Sequence, residues 1–295
     1  MSTVRHNTTL VNGTEIFYRE AGQKGKPALV LLHGYPTSSH MYRNLLQQLA
    51  GDFYLIAPDY PGFGRSAQPH MADFEYSFDN FANIVEGLLD QLGLQRYSLY
   101  LMDYGAPVGF RIASAHPEKI DSLIVQNGCA YDEGLEQFWD PIKSYWKNKD
   151  DKATERILEG FHSIDGLQWQ YTNGVADTAL VSPDNWEHDL RHILRPGNND
   201  IQLQLFYDYQ QNVALYPKWQ EYFRTYNPEM LIVYGKNDYI FPVAGAEAYK
   251  KDVKNLEYHL FDTGHFALET HGDEIAAAIR TFLHKKVARK SQPAA

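Results

Sequence analysis

The chain has 295 residues, of which 44% are apolar and 22% charged, with a formal net charge of −10. This length and composition can bury a sizeable core and exclude a disordered chain, while the acidic balance excludes a basic footprint for nucleic acid or an anionic membrane. A single cysteine, Cys129, leaves no intramolecular disulfide and no cysteine zinc cage.

In chain order, two short alternating segments flank Asn12-Gly13, a dipeptide suited to a type I′ hairpin turn. Ala28-Leu29-Val30-Leu31-Leu32-His33 is apolar almost throughout, as in a parallel strand buried on both faces. Segments 54–57, 97–102, 120–126, 230–234 and 256–261 repeat that pattern, and amphipathic stretches at 42–49, 78–92, 107–115, 245–251 and 273–284 alternate with them. The alternation predicts a mostly parallel, eight-stranded α/β sheet with helices on both faces. Residues 129–228 break it, with helical patterns, turn signals at Ser182-Pro183 and Arg195-Pro196-Gly197, and all five tryptophans. They are expected to form a helical cap over the strand ends, between core segments 1–128 and 229–288, with 289–295 as a tail. An aromatic lid suits a small apolar substrate. The basic run Lys285-Lys286-Val287-Ala288-Arg289-Lys290 reads as a solvated end. No apolar run reaches the ~18 residues of a membrane helix, and the opening residues lack the apolar core of a secretory signal. The expectation is a soluble cytoplasmic protein with no membrane or nucleic-acid partner; self-association is left open.

Three strand ends carry candidate chemistry. Leu101-Met102-Asp103-Tyr104-Gly105 runs from a strand through an acidic residue into a helix, the frame of a nucleophile elbow with aspartate in place of serine. Asp238 follows the strand at 230–234, and His265 follows Asp262-Thr263-Gly264. Their order, nucleophile, acid, histidine, is that of α/β-hydrolases. A carboxylate can attack an sp³ carbon and leave an alkyl ester, which a histidine-activated water then hydrolyses. The backbone N–H groups of Tyr104 and Tyr35 are the candidate oxyanion donors.

Other motifs read as structure. Gly62-Phe63-Gly64-Arg65-Ser66-Ala67 matches a dinucleotide fingerprint, but Pro69 leaves no helix to receive a pyrophosphate. His188 and His192 stand at i and i+4 without an evident third ligand and read as a solvated helix face, so no metal is expected. Asp59 is expected to tie its own turn, and Cys129 to be a small buried hydrophobe. Asn127 ends a strand, but a neutral amide cannot serve as the catalytic acid, which favours Asp238.

Taken together, His33-Gly34-Tyr35-Pro36, Asp59-Tyr60-Pro61-Gly62-Phe63-Gly64-Arg65-Ser66 and the three strand-end motifs resemble the α/β-hydrolase superfamily, in its aspartate-nucleophile branch of epoxide hydrolases and haloalkane dehalogenases. Leu101 departs from that branch, which usually carries a smaller residue there. The resemblance implies a cofactor-free enzyme. Dehalogenases of the branch usually clamp halide with a Trp after the nucleophile and an Asn or second Trp, whereas this chain has Tyr104 and Tyr35. Fluoroacetate-type relatives place an arginine where Tyr104 stands. Epoxide hydrolases instead use an aromatic His-Gly-x-Pro loop and two lid tyrosines. Here Tyr207 matches the second; Tyr145 is the nearest match to the first, with Ile142 competing for that position and Tyr209 as a further substrate contact. Epoxide hydrolysis is thus the leading expectation, haloalkane dehalogenation the alternative, and a ligand-binding protein on a hydrolase scaffold the second alternative.

Overall fold

Asn12 and Gly13 adopt φ of 48° and 83°, the positive values a type I′ turn requires, and they close strand β1 (Arg5–Val11) onto β2 (Thr14–Ala21). The computed structural model describes residues 3–290. The remaining strands are β3 (Ala28–Leu32), β4 (Tyr54–Pro58), β5 (Tyr97–Met102), β6 (Ile120–Gln126), β7 (Met230–Gly235) and β8 (Leu256–Phe261). They form one eight-stranded sheet in the order β1-β2-β4-β3-β5-β6-β7-β8. The β1–β2 and β2–β4 pairings are antiparallel and the rest parallel. β3, β4, β5 and β7 are buried at every position, the pattern of strands covered on both faces.

Around the sheet run α1 (Arg43–Leu49), α2 (Phe78–Gln91), α3 (Gly105–Ala115), α4 (Asp140–Lys147), α5 (Lys152–Gly160), α6 (Ile164–Thr172), α7 (Asp184–Ile193), α8 (Asn198–Tyr226), α9 (Val243–Ala248) and α10 (Ala267–Lys290). Helix α2 shows why they form. Ser77 accepts from the Asn80 N–H as N-cap, and Phe78, Phe81, Ala82, Val85, Leu88 and Leu89 make one buried stripe. On one face of the sheet α2, α3 and α9 cover Val30, Leu99 and Ile232; on the other, α1 and α10 cover Leu29, Ile124 and Leu231. Helices α4–α8 all lie between β6 and β7 and pack over the strand ends. Trp139 Nε1 donates to the Ile240 carbonyl at 2.7 Å and Asn198 Nδ2 to the Gly62 carbonyl at 2.7 Å.

The apolar runs mark the strands to within a residue, and three helices differ from expectation. α9 spans Val243–Ala248, with 249–251 a separate turn, in place of 245–251. α3 begins at Gly105, directly after the elbow, not at residue 107. α10 begins at residue 267, bends at His271 (φ −126°) and continues to residue 290. Residues 289 and 290 of the expected tail are therefore helical, and 291–295 lie outside the described residues. Among the described residues no helix is long and apolar enough to cross a membrane. Because β3 pairs with β4 on one side and β5 on the other, the connections leaving β3 and β5 diverge and open a crevice at their carboxyl ends. The candidate chemistry is gathered there.

Candidate active site

Asp103 sits between β5 and α3 at φ 50°, a left-handed conformation that costs free energy and turns its side chain out of the sheet. The turn is possible because two neighbours lack side chains. A Cβ on Gly34 would run into the Asp103 side chain, and one on Gly109 would run into Leu101. The larger residue at Leu101 is thus matched by a glycine one helical turn into α3. Behind the loop after β3, His33 is wholly buried. Its Nε2 accepts from the Tyr60 N–H at 3.3 Å, so Nδ1 carries the proton and donates to the Gly34 carbonyl at 3.0 Å. The Tyr35–Pro36 bond is cis.

The two oxygens of Asp103 meet different surroundings. Oδ1 accepts from the Tyr35 backbone N–H at 2.6 Å, and the Tyr104 N–H also bonds the carboxylate. Oδ2 lies 3.7 Å from His265 Nε2. His265 Nδ1 is 2.8 Å from Asp238 Oδ2 and donates to it. Asp238 Oδ1 accepts from the Ile240 N–H at 2.8 Å, and Oδ2 from Asn127 Nδ2 at 2.9 Å. Asn127, at φ 46°, is fixed in turn by the Gly235 N–H on its Oδ1 at 3.0 Å. All four side chains are buried, and His265 Nε2 has no hydrogen-bond partner. Burial pushes Asp103 up to about 6, against the pull of His265 and of the two N–H groups. Burial alone would lower His265, but the Asp238 charge and hydrogen bond outweigh it, with a smaller push from Asp103, and its pKa is raised.

Aromatic rings enclose this constellation. Tyr35 packs against Tyr104, His162 and Phe206 at centroid distances of 6.0, 5.9 and 5.3 Å, and its hydroxyl donates to the Phe161 carbonyl at 3.0 Å. Tyr209 lies 4.4 Å from Trp139 and 6.0 Å from Tyr104, ring to ring. The Tyr104 hydroxyl is buried without a partner, and the buried Tyr209 hydroxyl faces that of Tyr216. Beyond Phe161, a cavity of about 400 Å³ lined by Phe138, Phe161, Trp169 and Tyr239 opens outward.

Two expected cap residues stand elsewhere. Tyr207 is half-buried, its ring 6.0 Å from Tyr145 and 4.6 Å beneath Lys149 Nζ. The charges that bear most on Tyr145 are those of Glu155, Asp150 and Asp200. The reason is helical phase: one residue along α8 is ~100° around it, so Phe206 and Tyr209 meet the Tyr35–Tyr104 wall while Tyr207 turns away. His188 and His192 are not on a solvated face either. The His40 ring stacks 4.1 Å from His188, which lies 4.9 Å from His192. Among the described residues, no group of three or more His, Cys, Asp or Glu is placed to hold a metal. Asp59 ties its own loop as expected, accepting from the N–H groups of Ser39 at 2.7 Å and Arg65 at 2.8 Å. Cys129 is buried and donates to the Tyr131 carbonyl at 2.8 Å. Sequence reasoning gave Asn127 no positioning role and passed over His162 and Phe206, which carry no local motif.

The profile described as "alpha/beta hydrolase fold" matches residues 27–272. The chain belongs to the α/β-hydrolase fold family. An uncharacterised hydrolase of Saccharomyces cerevisiae is 45% identical over 277 residues, 93% of this chain and 95% of that protein. A cis-3-alkyl-4-alkyloxetan-2-one decarboxylase of Shewanella oneidensis is 27% identical over 92% of this chain and 86% of its own length. Among solved α/β-hydrolases, a haloalkane dehalogenase loop variant from Bradyrhizobium elkanii superposes with a TM-score of 0.82 at 20% identity, covering 98% of this chain and 99% of that one. An epoxide hydrolase solved without ligand gives 0.78 at 19% identity, covering 96% and 99%. At these identities the structural likeness speaks for the fold alone. The protein is a hydrolase of this family.

Proposed function

We propose that the protein opens epoxides to vicinal diols through an ester on Asp103. The observation that carries this reading is the division of labour within one carboxylate, with Oδ1 held by the Tyr35 N–H and Oδ2 left facing the unpartnered Nε2 of His265. In the first step Oδ2 attacks a ring carbon and the carbon–oxygen bond of the oxirane breaks. The departing oxygen takes a proton from Tyr209 or Tyr104. Burial raises both phenols well above 10, so they keep that proton at neutral pH. In the second step His265 Nε2 removes a proton from water, which attacks the ester carbonyl carbon. The negative charge then develops on Oδ1, between the Tyr35 and Tyr104 N–H groups, where preorganised donors act most strongly. Collapse releases the diol, and the proton on His265 returns the phenol to its starting state.

Two features favour an oxygen leaving group over a halide. The Asp103 charge bears on the phenols of Tyr104 and Tyr209, and the Trp139 indole N–H is spent on the Ile240 carbonyl. The oxetan-2-one relative acts on another strained oxygen ring. Dehalogenation is the competing reading, because the same Asp103 and His265 would serve it. His265→Gln should accumulate the ester, seen as a mass gain equal to the whole substrate for an epoxide and to its alkyl group for a halide. Asp103→Asn should form none. Diol from epoxides that depends on Asp103 supports the proposal; halide release with no diol from any epoxide overturns it.

A further inference from the structure

His162 lies between α5 and α6, outside the triad, with its ring stacked 5.8 Å from Phe206 and 5.9 Å from Tyr35. Its protonation pattern is set by its neighbours. Asn199 Nδ2 donates to Glu159 Oε1 at 3.1 Å, which turns the amide oxygen toward His162. That oxygen stands 2.8 Å from His162 Nδ1, so Nδ1 carries the hydrogen and Nε2 holds the lone pair. Nε2 is buried and has no partner, and the residue is 6% exposed. A buried acceptor left empty costs free energy, and one placed beside the site's own aromatic wall calls for an occupant. Burial also lowers the imidazole pKa, so the lone pair remains available at neutral pH.

We infer that His162 Nε2 accepts a hydrogen bond from a hydroxyl group on the substrate, so that the preferred substrate is an oxirane bearing an alcohol along its chain. The inference rests on the epoxide reading for where the reacting carbon sits, next to Asp103, with the rest of the molecule running past Tyr35. The neutral imidazole and the rings of Tyr35 and Phe206 suit a neutral donor. A carboxylate would offer only oxygen lone pairs to Nε2. A buried ammonium would need a carboxylate, and Glu159, whose charge bears on His162, is already bonded to Asn199. Glu159 and Asn199 are positioning residues, acting only through the tautomer they impose.

The test uses Asp103→Asn protein, which binds without turning over, titrated by calorimetry with ω-hydroxy-1,2-epoxyalkanes of increasing chain length and with their methyl ethers. The ether is the more apolar partner and wins by default, so tighter binding of the alcohol requires an acceptor. At the matching chain length the alcohol is expected to bind about tenfold more tightly. That ratio should fall to about one when His162→Phe is added, and should drop when Asn199→Leu releases the tautomer. In protein with ¹⁵N-labelled histidine and His162 native, the Nε2 resonance should shift with the alcohol and stay still with the ether, which a purely structural histidine would not do. A ratio unchanged by His162→Phe, an unmoved Nε2 resonance, or no binding of either ligand overturns the inference. The epoxide reading fails separately, by absence of Asp103-dependent diol from a plain terminal epoxide. Diol formation without alcohol preference would sink the role of His162 alone.

Discussion

At the scale of single residues, Asp103 and His265 titrate as neighbours 3.7 Å apart, and their shifts give the two steps of the proposed reaction different pH profiles. Attack needs Asp103 ionised, which burial delays until about pH 6. Ester hydrolysis needs His265 unprotonated, and its pKa is raised above 6.5. Both steps therefore weaken on acidification, the second one first. Acid-quenched mass spectra of wild-type protein turning over substrate should show the Asp103 ester building up above about pH 6, where attack sets in, and fading only as the pH rises through the raised pKa of His265. A flat ester fraction across that range would contradict the assignment. Asn127 gives a second residue-scale prediction. It donates to the carboxylate that orients His265, and a hydrogen bond to a charged group contributes about 1.5–3 kcal/mol. Asn127→Gly keeps the positive φ without strain and removes that bond together with the two between the amide and Gly235. Denaturant unfolding should show a loss of at least about 2 kcal/mol, with slower ester hydrolysis in single turnover. The triad was legible because its members stand at strand ends in a recognisable order. The role of Asn127 was not, because its partners Gly235 and Asp238 lie across the β6–β7 connection and come close only once those strands pair.

At the scale of elements, the clearest prediction concerns the contact between β5 and α3. Leu101 fills the space that a side chain on residue 109 would need. Gly109→Ala should cost about 1–3 kcal/mol by overpacking, although alanine is the better helix former. Leu101→Ala should cost about 2–5 kcal/mol by leaving a cavity. In the double variant the new methyl group enters that cavity, so unfolding free energies should fall short of additivity by at least ~0.5 kcal/mol. Strict additivity would mean that the two positions do not share the space. The same contact explains how a residue unusual for the branch fits its elbow. The strands were readable because continuous apolar runs have one explanation in a sheet covered on both faces. Helix phase was not. In Phe206-Tyr207-Asp208-Tyr209 the resemblance favours Tyr207 as the lid acid, and only the packing of α8 against Tyr35 and Tyr104 turns Tyr209 inward instead. His162 was invisible for a similar reason, since the wall it joins is assembled from the β3 loop and α8.

At the scale of the molecule, the helices between β6 and β7 meet the rest of the protein along a seam in which His40 stacks on His188 of α7, and His188 in turn packs against His192. The groups facing that seam are mostly cationic. Arg43, Arg19 and His192 bear on His40 from the sheet side and from α7, and Arg195 and Arg65 bear on His192, with Asp59 opposing them. Asp189 Oδ1 stands 3.4 Å from His188 Nδ1. Burial, reinforced by these cations, depresses His40 to about 3 and His192 to about 4, against 6.5 in an unfolded chain. The sign follows from linkage. Below pH 6.5 the unfolded chain takes up protons that the folded seam refuses, so this part of the stability is complete above 6.5 and drains away as the pH falls toward 4. Buried carboxylates such as Asp103 and Asp189, raised by burial, push the other way, so the total curve does not isolate the seam. A difference between two proteins does. His40→Phe keeps a ring to stack on His188 and removes one titrating group. Its Tm, measured against wild type from pH 7 to pH 4.5, should gain steadily on the acid side, and hydrogen exchange in wild-type α7 should accelerate over the same interval. Parallel Tm curves would show that the histidines carry no acid sensitivity, whereas a widening gap, with faster exchange in α7, would place that sensitivity at the contact between His40 and α7.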